Sequence, residues 1–541
     1  MLAVFGLDRA ALDMDMIMSE IRETGTRTMA TMRTMTLDPD ACYRAVCARD
    51  ARFDGSFFTG VTTTGIYCRP ICPAPTPKRE NVVFFASAAA AQTAGFRPCL
   101  RCRPEIAPDV AAWRGTSNTV SRALALMEKG ALHGAPVAVL AERLGLGERQ
   151  LRRLFRQHLG ASPLAVAQTH RLLLAKQLIH ETQLSMTEVA LAAGFGSVRR
   201  FNETFRQMFQ RQPASLRRSK GAVLPSRTAG DVSLNLSYRA PYDWDSILAF
   251  LARRAIPGIE AVVDAGYART IEIDGQHGIV SLRRGAGDAL HATIRFPRLA
   301  ALPVIIARLR RVFDLAADPQ AIAAHLAEDR TLAPLVAARP GLRVPGAWDG
   351  FELAVRALLG QQISVAAART LAGRLVAQFG TPLMVDRTGF ERLTHVFPQA
   401  AALAAADVAA VGLPKTRSAA LTALAAAVAA DPLIFGLRAT LDEAVLRLRG
   451  LAGVGEWTAQ YIAMRELREP DAFPAADLGL MRAIGLLEGR QPSPKELLAR
   501  AENWRPWRAY AAQHLWAAEA LPTPTDRPAP FREAKPAKRA M

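Results

Sequence analysis

Three observations on this sequence predict a multidomain, mainly α-helical protein. Its 541 residues exceed what a single hydrophobic core supports and imply three or four domains. All six cysteines lie at or before Cys102, which confines metal or thiol chemistry to one N-terminal module. Strand-like alternation is restricted to short stretches before residue 100 and between residues 231 and 317, and helical periodicity fills most of the rest.

Charge and composition narrow the function. Lys plus Arg outnumber Asp plus Glu by 68 to 49, giving a net charge of +19 and favouring a polyanionic partner over a surface that is basic only for solubility. No run of 18 apolar residues appears, and Asp8, Asp13 and Asp15 interrupt any signal-peptide pattern, so a cytoplasmic protein with no membrane role is expected. A reducing cytosol argues against disulfides and leaves metal binding or thiol reactivity for the cysteines.

Residues 1–37 are rich in Met and Thr without sustained periodicity and read as a flexible extension, with Met29, Met32 and Met35 as other possible starts. A short helix and short strands follow from Asp38, with Cys42 and Cys47 in the helical part as buried thiols. Cys68, Cys72, Cys99 and Cys102 form C-x3-C, a gap of 26 residues and C-x2-C, a spacing that brings four thiolates to a tetrahedral zinc in a small α+β domain over 38–110. Taken alone, that zinc is structural.

The segments TTGIYCRPICPAP, RENVVFF and AGFRPCLRCRPE closely resemble the zinc domain of the Ada adaptive-response proteins. The resemblance implies that Cys68 takes a methyl group from a DNA methylphosphotriester, once per molecule because a thioether is a poor leaving group. Arg69, Lys78, Arg79, Arg97, Arg101 and Arg103 are expected to hold the phosphate backbone around it. Four thiolates on Zn²⁺ carry a charge of about −2, and methylating one lowers this to about −1, so DNA binding should tighten after methylation.

From Trp113 to Lys220 the chain is helical and carries 17 Lys plus Arg against 6 Asp plus Glu. Ala141-x3-Gly145 with Leu151, Phe155, Arg156 and Pro163 recurs about fifty residues later as Ala190-x3-Gly194 with Phe201, Phe205, Arg206 and Pro213. Each copy reads as a helix-turn-helix. The second, VALAAGFGSVRRFNETFRQMFQRQP, is similar to the AraC-type double helix-turn-helix regulators, and an all-α domain over 114–220 with a linking helix from about Pro163 to His180 is expected. Glu148, Arg149, Gln150 and Arg152 on the first recognition helix, and Ser197, Arg199, Arg200 and Asn202 on the second, are the candidate contacts to a promoter operator. An activator of this kind implies RNA polymerase as a partner.

Residues 221–230, GAVLPSRTAG, read as a linker. An α/β unit over 231–317 follows, with IDGQHG as a hairpin between two strands and helices over Ser246–Ala255 and Leu302–Phe313. From 318 to 520 the pattern is helical. Its organising stretch is LAGVGEWTAQYIAMRELREPDAFPAAD, residues 451–477, where Gly453, Val454 and Gly455 make a tight turn before a helix over Glu456–Leu467. Such a turn either is structural or presents N–H groups to a DNA phosphate. Asp477, past Pro470 and Pro474, is either an N-cap or a catalytic carboxylate. Residues 521–541 are Pro-, Arg- and Lys-rich and read as a disordered tail.

These residues, PYDW at 241–244 and the terminal NWRPWRAYAAQHLW resemble the helix-hairpin-helix DNA glycosylases, most closely the AlkA-type alkylbase enzymes, over roughly Ser233 to Ala520. The resemblance implies a DNA-3-methyladenine glycosylase of type II acting on alkylated double-stranded DNA. It places Trp457, Tyr461, Trp516 and Phe250 against the extruded base and gives Asp477 the catalytic role. In GFELAVRALLGQQISVAAARTLAGRLVAQFG, Gln362 occupies the position of the side chain that fills the gap in the duplex, with the apolar Ile363 as its competitor. Glu456-Trp457 stands where strand-nicking relatives carry a Lys, so a monofunctional enzyme is expected. The absence of any cysteine after Cys102 excludes both an iron–sulfur cluster and a methylguanine-type acceptor downstream. The rival reading is a transcription regulator with a structural zinc whose glycosylase-like half is inactive and only grips DNA.

Overall fold

The computed structural model describes residues 38–50, 53–107, 118–128, 131–132, 135–217, 231–431, 434–436 and 440–519. The expected extension over 1–37, linker over 221–230 and tail over 521–541 lie outside these residues.

In the first module Asp38 caps the helix Pro39–Cys47 by accepting from the Asp40 N–H, with Pro39 at the first helical position. Four strands follow: β1 (Phe58–Val61), β2 (Ile66–Cys68), β3 (Val82–Phe85) and β4 (Arg97–Pro98), in the order β3-β1-β2-β4. β2 and β4 are parallel, with Tyr67 opposite Pro98, so the chain delivers Cys68 and Cys99 side by side from strands about thirty residues apart. Tyr67 is fully buried and packs edge-on to Phe58 at 5.6 Å. Cys42 is buried as expected, whereas Cys47, at the last turn of its helix, is exposed.

The repeat folds as two helix-turn-helix units. Helices Val137–Arg143 and Glu148–Leu159 form the first and Met186–Ala192 and Val198–Phe209 the second, joined by Pro163–Glu181. Each recognition helix buries every fourth residue, Leu151, Phe155 and Leu159 in one and Phe201, Phe205 and Phe209 in the other. Gly145 and Gly194 take φ of +70° and +80° in the turns, which is why a glycine recurs there.

The α/β unit is a five-stranded antiparallel sheet of β5 (Val232–Ser237), β6 (Glu260–Val263), β7 (Gly266–Ile273), β8 (Gln276–Arg284) and β9 (Ala289–Arg295), ordered β5-β9-β8-β7-β6. Asp274 and Gly275, both at positive φ, make the two-residue turn between β7 and β8. The helices Trp244–Arg254 and Leu302–Val312 share its core. Beyond Pro319 the chain is a helical domain around the helix Gly350–Leu359, nine of whose ten residues are buried.

The modules pack against one another. Leu172, Phe195 and Phe205 of the helix-turn-helix region lie in one hydrophobic core with Leu236, Phe250 and Ile306 of the α/β unit. Lys176, in the linking helix, donates to Glu105 at 2.6 Å and to the Cys99 carbonyl at 3.3 Å, with both charged side chains fully buried. Arg239, 3% exposed, donates to the Asp54 carbonyl at 2.7 Å and to the Ser56 hydroxyl, while Arg69 grips the Asp54 carboxylate. Buried charges are stable only when partnered in this way, and removing one partner of such a pair costs about 3–5 kcal/mol.

Candidate base-excision pocket and zinc centre

A cleft of about 1180 Å³ opens between the α/β unit and the helical domain. Trp457 and Tyr461 enter it one turn apart from the helix Glu456–Arg465, and their rings stack at 5.3 Å and 8°. Trp516, from the helix Arg508–Glu519, stands edge-on to Tyr461 at 6.4 Å.

Asp477 is both of the things the sequence allowed: the N-cap of the helix Leu478–Glu488 and a carboxylate facing the cleft. Its Oδ1 accepts from the Leu480 N–H at 3.0 Å and from Trp516 Nε1 at 2.9 Å. Its Oδ2 accepts from Trp457 Nε1 at 2.8 Å. Two indoles and a helix terminus thus fix the carboxylate at the cleft wall. Gly479 makes room for this arrangement, because a Cβ there would lie 3.0 Å from Asp477 Oδ1 and 3.3 Å from Trp516 Cδ1. Sequence reasoning missed this glycine, which no turn motif marks.

The floor of the cleft is a buried ionic cluster. Arg269 donates to Glu352 at 2.7 Å and Arg356 reaches Glu260 at 2.5 Å. Burial raises the Glu260 carboxyl, but Arg356 and Arg269 outweigh it and hold the group down at about 2. Tyr461 is likewise raised by burial and brought below its ordinary value by Arg465 and Arg254, with Arg465 Nη1 donating to its hydroxyl at 2.6 Å.

Phe250 lies in this wall but is engaged already. The guanidinium carbons of Arg254 and Arg465 sit 3.8 and 4.9 Å from its ring centroid, so cations occupy the ring that was expected to meet the base. Neither arginine was foreseen: Arg254 lies one helical turn from Phe250, and Arg465 reaches it from the helix Glu456–Arg465, far along the chain.

Gln362 and Ile363 lie in the turn between the helices Gly350–Leu359 and Val365–Phe379. Gln362 is exposed at φ +59°, whereas Ile363 is half-buried. The neighbouring Gln361 holds the hairpin, its Nε2 donating to the Gly453 carbonyl at 2.9 Å and to Thr458 Oγ1 at 3.1 Å. Val454 is buried between exposed Gly453 and Gly455. Gly453 stands at φ +75°, and a Cβ on it would lie 2.7 Å from Ala420 Cβ, too close for any side chain. Gly455 caps the following helix with no side chain, leaving that helix's first N–H groups without a side-chain cap.

At the other end, one ligand atom from each of Cys68, Cys72, Cys99 and Cys102 lies within 4.8 Å of the others. The Arg69 and Arg101 backbone N–H groups donate to Cys102 Sγ and Cys99 Sγ, each at 3.4 Å. Four thiolates this close repel unless they share a cation, and an all-sulfur tetrahedral set suits zinc. On the recognition helices Arg149, Arg152, Arg199 and Arg200 are exposed, although Arg152 pairs with Glu148 at 2.9 Å. Ser197 is spent as the cap of its helix, accepting from the Arg200 N–H at 3.2 Å, and Asn202 is half-buried.

The folds and sites together define a DNA-binding regulator with an Ada-type zinc centre joined to a helix-hairpin-helix DNA glycosylase. Family models match in four successive stretches: the metal binding domain of Ada over 41–105, a helix-turn-helix domain over 140–219, the AlkA N-terminal domain over 233–349, and the HhH-GPD superfamily of base excision DNA repair proteins over 355–509. The chain is 44% identical over 481 residues, 88% of its own length and 96% of the other, to a probable bifunctional transcriptional activator/DNA repair enzyme AlkA of Mycobacterium tuberculosis. It belongs to that family. It is also 35% identical to DNA-3-methyladenine glycosylase 2 of Escherichia coli, over 52% of this chain and 96% of that one. A 38% identity to the Escherichia coli bifunctional transcriptional activator/DNA repair enzyme Ada covers 29% of this chain and 43% of that one. Zinc is therefore the cofactor and DNA the partner. Among the described residues no helix is long and apolar enough to cross a membrane.

Proposed function

We propose that this protein both reports and repairs DNA alkylation. Its domains, taken as 38–110, 114–220, 231–317 and 318–520, form a methylphosphotriester-sensing activator followed by a monofunctional glycosylase that excises alkylated bases such as 3-methyladenine. The observation that carries the reading is the Asp477 carboxylate, held by two indole N–H groups at the wall of an aromatic cleft.

The extruded base enters the cleft, where the electron-rich faces of Trp457, Tyr461 and Trp516 attract a cationic purine. As the N-glycosidic bond breaks, its electron pair leaves with the base and positive charge grows on the sugar. Asp477 stabilises that charge and helps to position the water that adds to the sugar carbon, whose proton passes to solvent. An alkylated base is already a good leaving group, so no general acid is needed. Gln362, projecting from its turn, fills the space the base vacates. The uncapped N–H groups at Gly455 bind a backbone phosphate.

In the N-terminal half, bound zinc would keep the sulfurs of Cys68, Cys72, Cys99 and Cys102 as thiolates. The Cys68 sulfur bonds to the methyl carbon of a phosphotriester while the C–O bond breaks, its electron pair staying on the phosphate oxygen to restore a diester. The exposed arginines of the recognition helices read the operator, and the bound activator acts with RNA polymerase in the cytoplasm. Incubation of the full chain with alkylated duplex DNA should release free 3-methyladenine and add one methyl to the Cys68 peptide. No free base would overturn the glycosylase reading, and no methyl on Cys68 the sensor reading.

A further inference from the structure

Around Cys68 three of the six cations expected to hold DNA are committed elsewhere. Arg69 is buried on Asp54 and the Cys102 carbonyl, Arg103 is held by Glu105 and Glu181, and Arg79 reaches Asp40. Arg97 and Arg101 remain beside the sulfur. The crevice that reaches Cys68, about 550 Å³, is built mainly by the zinc module but is completed from outside it. One wall carries Cys68, Arg97 and Arg101, and the other carries Phe209, Arg211 and Leu216 from the end of the second helix-turn-helix unit.

Arg211 is exposed but mounted on a pinned turn. The helix Val198–Phe209 ends at Gln210, at φ +51°, whose N–H donates to the Arg206 carbonyl at 2.8 Å. Arg97 Nη1 donates to Gln210 Oε1 at 3.0 Å, fastening the turn to the zinc module. On one side Phe209 is buried and stacks on Phe205 at 4.3 Å, and on the other Pro213 and Leu216 are buried. Among the described residues the Arg211 guanidinium has no hydrogen-bond or ion-pair partner.

We propose that the DNA site at Cys68 is composite, and that Arg211 is a positioning residue for methyl transfer. With Arg97 and Arg101 it binds phosphodiesters next to the methylated phosphate. The inference rests on the reading of Cys68 as methyl acceptor. A methylphosphotriester is uncharged and offers a cation only a neutral acceptor oxygen, so the strand is registered mainly through its charged neighbours. Arg211, across the crevice from the zinc module, is placed to do this. Methyl sensing then requires the zinc module and the second helix-turn-helix unit to close on the same strand.

The test uses the full chain and a duplex of random sequence bearing methylphosphotriesters, so that operator recognition is not measured. Methyl on the Cys68 peptide is followed with time by mass mapping. Arg211→Ala should slow transfer roughly tenfold and reduce the salt dependence of binding by about one phosphate contact. Arg211→Lys should keep most of the rate, because a point charge suffices for a phosphate. Arg330→Ala, an exposed arginine of the helical domain, should match the unaltered chain, and zinc content should be equal in all. A wild-type rate and salt slope for Arg211→Ala would overturn the composite site and leave Cys68 as acceptor. No methyl on Cys68 in the unaltered chain would overturn both.

Discussion

Trp516 and Asp477 are joined by a 2.9 Å hydrogen bond to the same carboxylate oxygen that caps the Leu478–Glu488 helix. Structure and proposed chemistry therefore depend on one atom. Asp477→Asn should retain the cap but turn an amide donor toward Trp457 Nε1, costing about 1–2 kcal/mol of stability. Base release should fall at least ~100-fold, because the charge opposite the sugar is lost. Single-turnover excision beside a denaturation curve checks both, and a folded variant that still excises at near wild-type rate removes Asp477 from the chemistry.

Gln362 and Ile363 make opposite predictions, since one is exposed on its turn and the other is half-buried. Gln362→Ala should slow excision of a paired lesion and largely spare the same lesion opposite an abasic site, where the stack is already open. Ile363→Ala should act mainly on stability, by about 1 kcal/mol. Comparing the two substrates in single-turnover assays separates the roles.

Zinc should matter beyond its own module. Because buried Lys176 donates to the carbonyl of the ligand Cys99, loss of the metal should loosen the linking helix Pro163–Glu181 as well. One zinc per chain is expected, and replacing Cys72, Cys99 or Cys102 by Ser should abolish it. Hydrogen exchange after chelation should then rise in the linking helix, and unchanged protection there would show that the two are uncoupled.

His514 should give the fold an acid-sensitive component. Burial, reinforced by Arg339, lowers its pKa from 6.5 to about 4. A base with a depressed folded pKa takes up its proton more readily when unfolded, so its contribution is complete above pH 6.5 and is lost as the pH falls toward 4. The loss is of the order of 2–3 kcal/mol. Denaturant unfolding at about pH 7.5 and about pH 4.5 should show a smaller drop for His514→Gln than for the unaltered chain.

Much of this was legible in the sequence, and the reason is local. The cysteine spacing, the repeated Ala-x3-Gly, the Asp-Gly turn after β7 and the Gly453–Gly455 hairpin each depend on residues a few positions apart. Trp457 and Tyr461 share a face because they are one helical turn apart. What escaped is set by packing between distant segments: Arg465 over Phe250, Trp516 against Gly479, and Arg69 withdrawn from DNA by Asp54. Contacts between the two halves were invisible in the sequence for the same reason. Arg239 and Asp54 are 185 positions apart, and nothing near either residue announces the other.

That last contact makes the protein a calliper. With the zinc module fastened to the scaffold of the glycosylase, the offset between the proposed methyl-acceptor site and the excision cleft should have a single value rather than a distribution. Duplexes carrying both lesions at systematically varied spacing would reveal it as one sharp optimum, the footprint of a rigid two-point gauge.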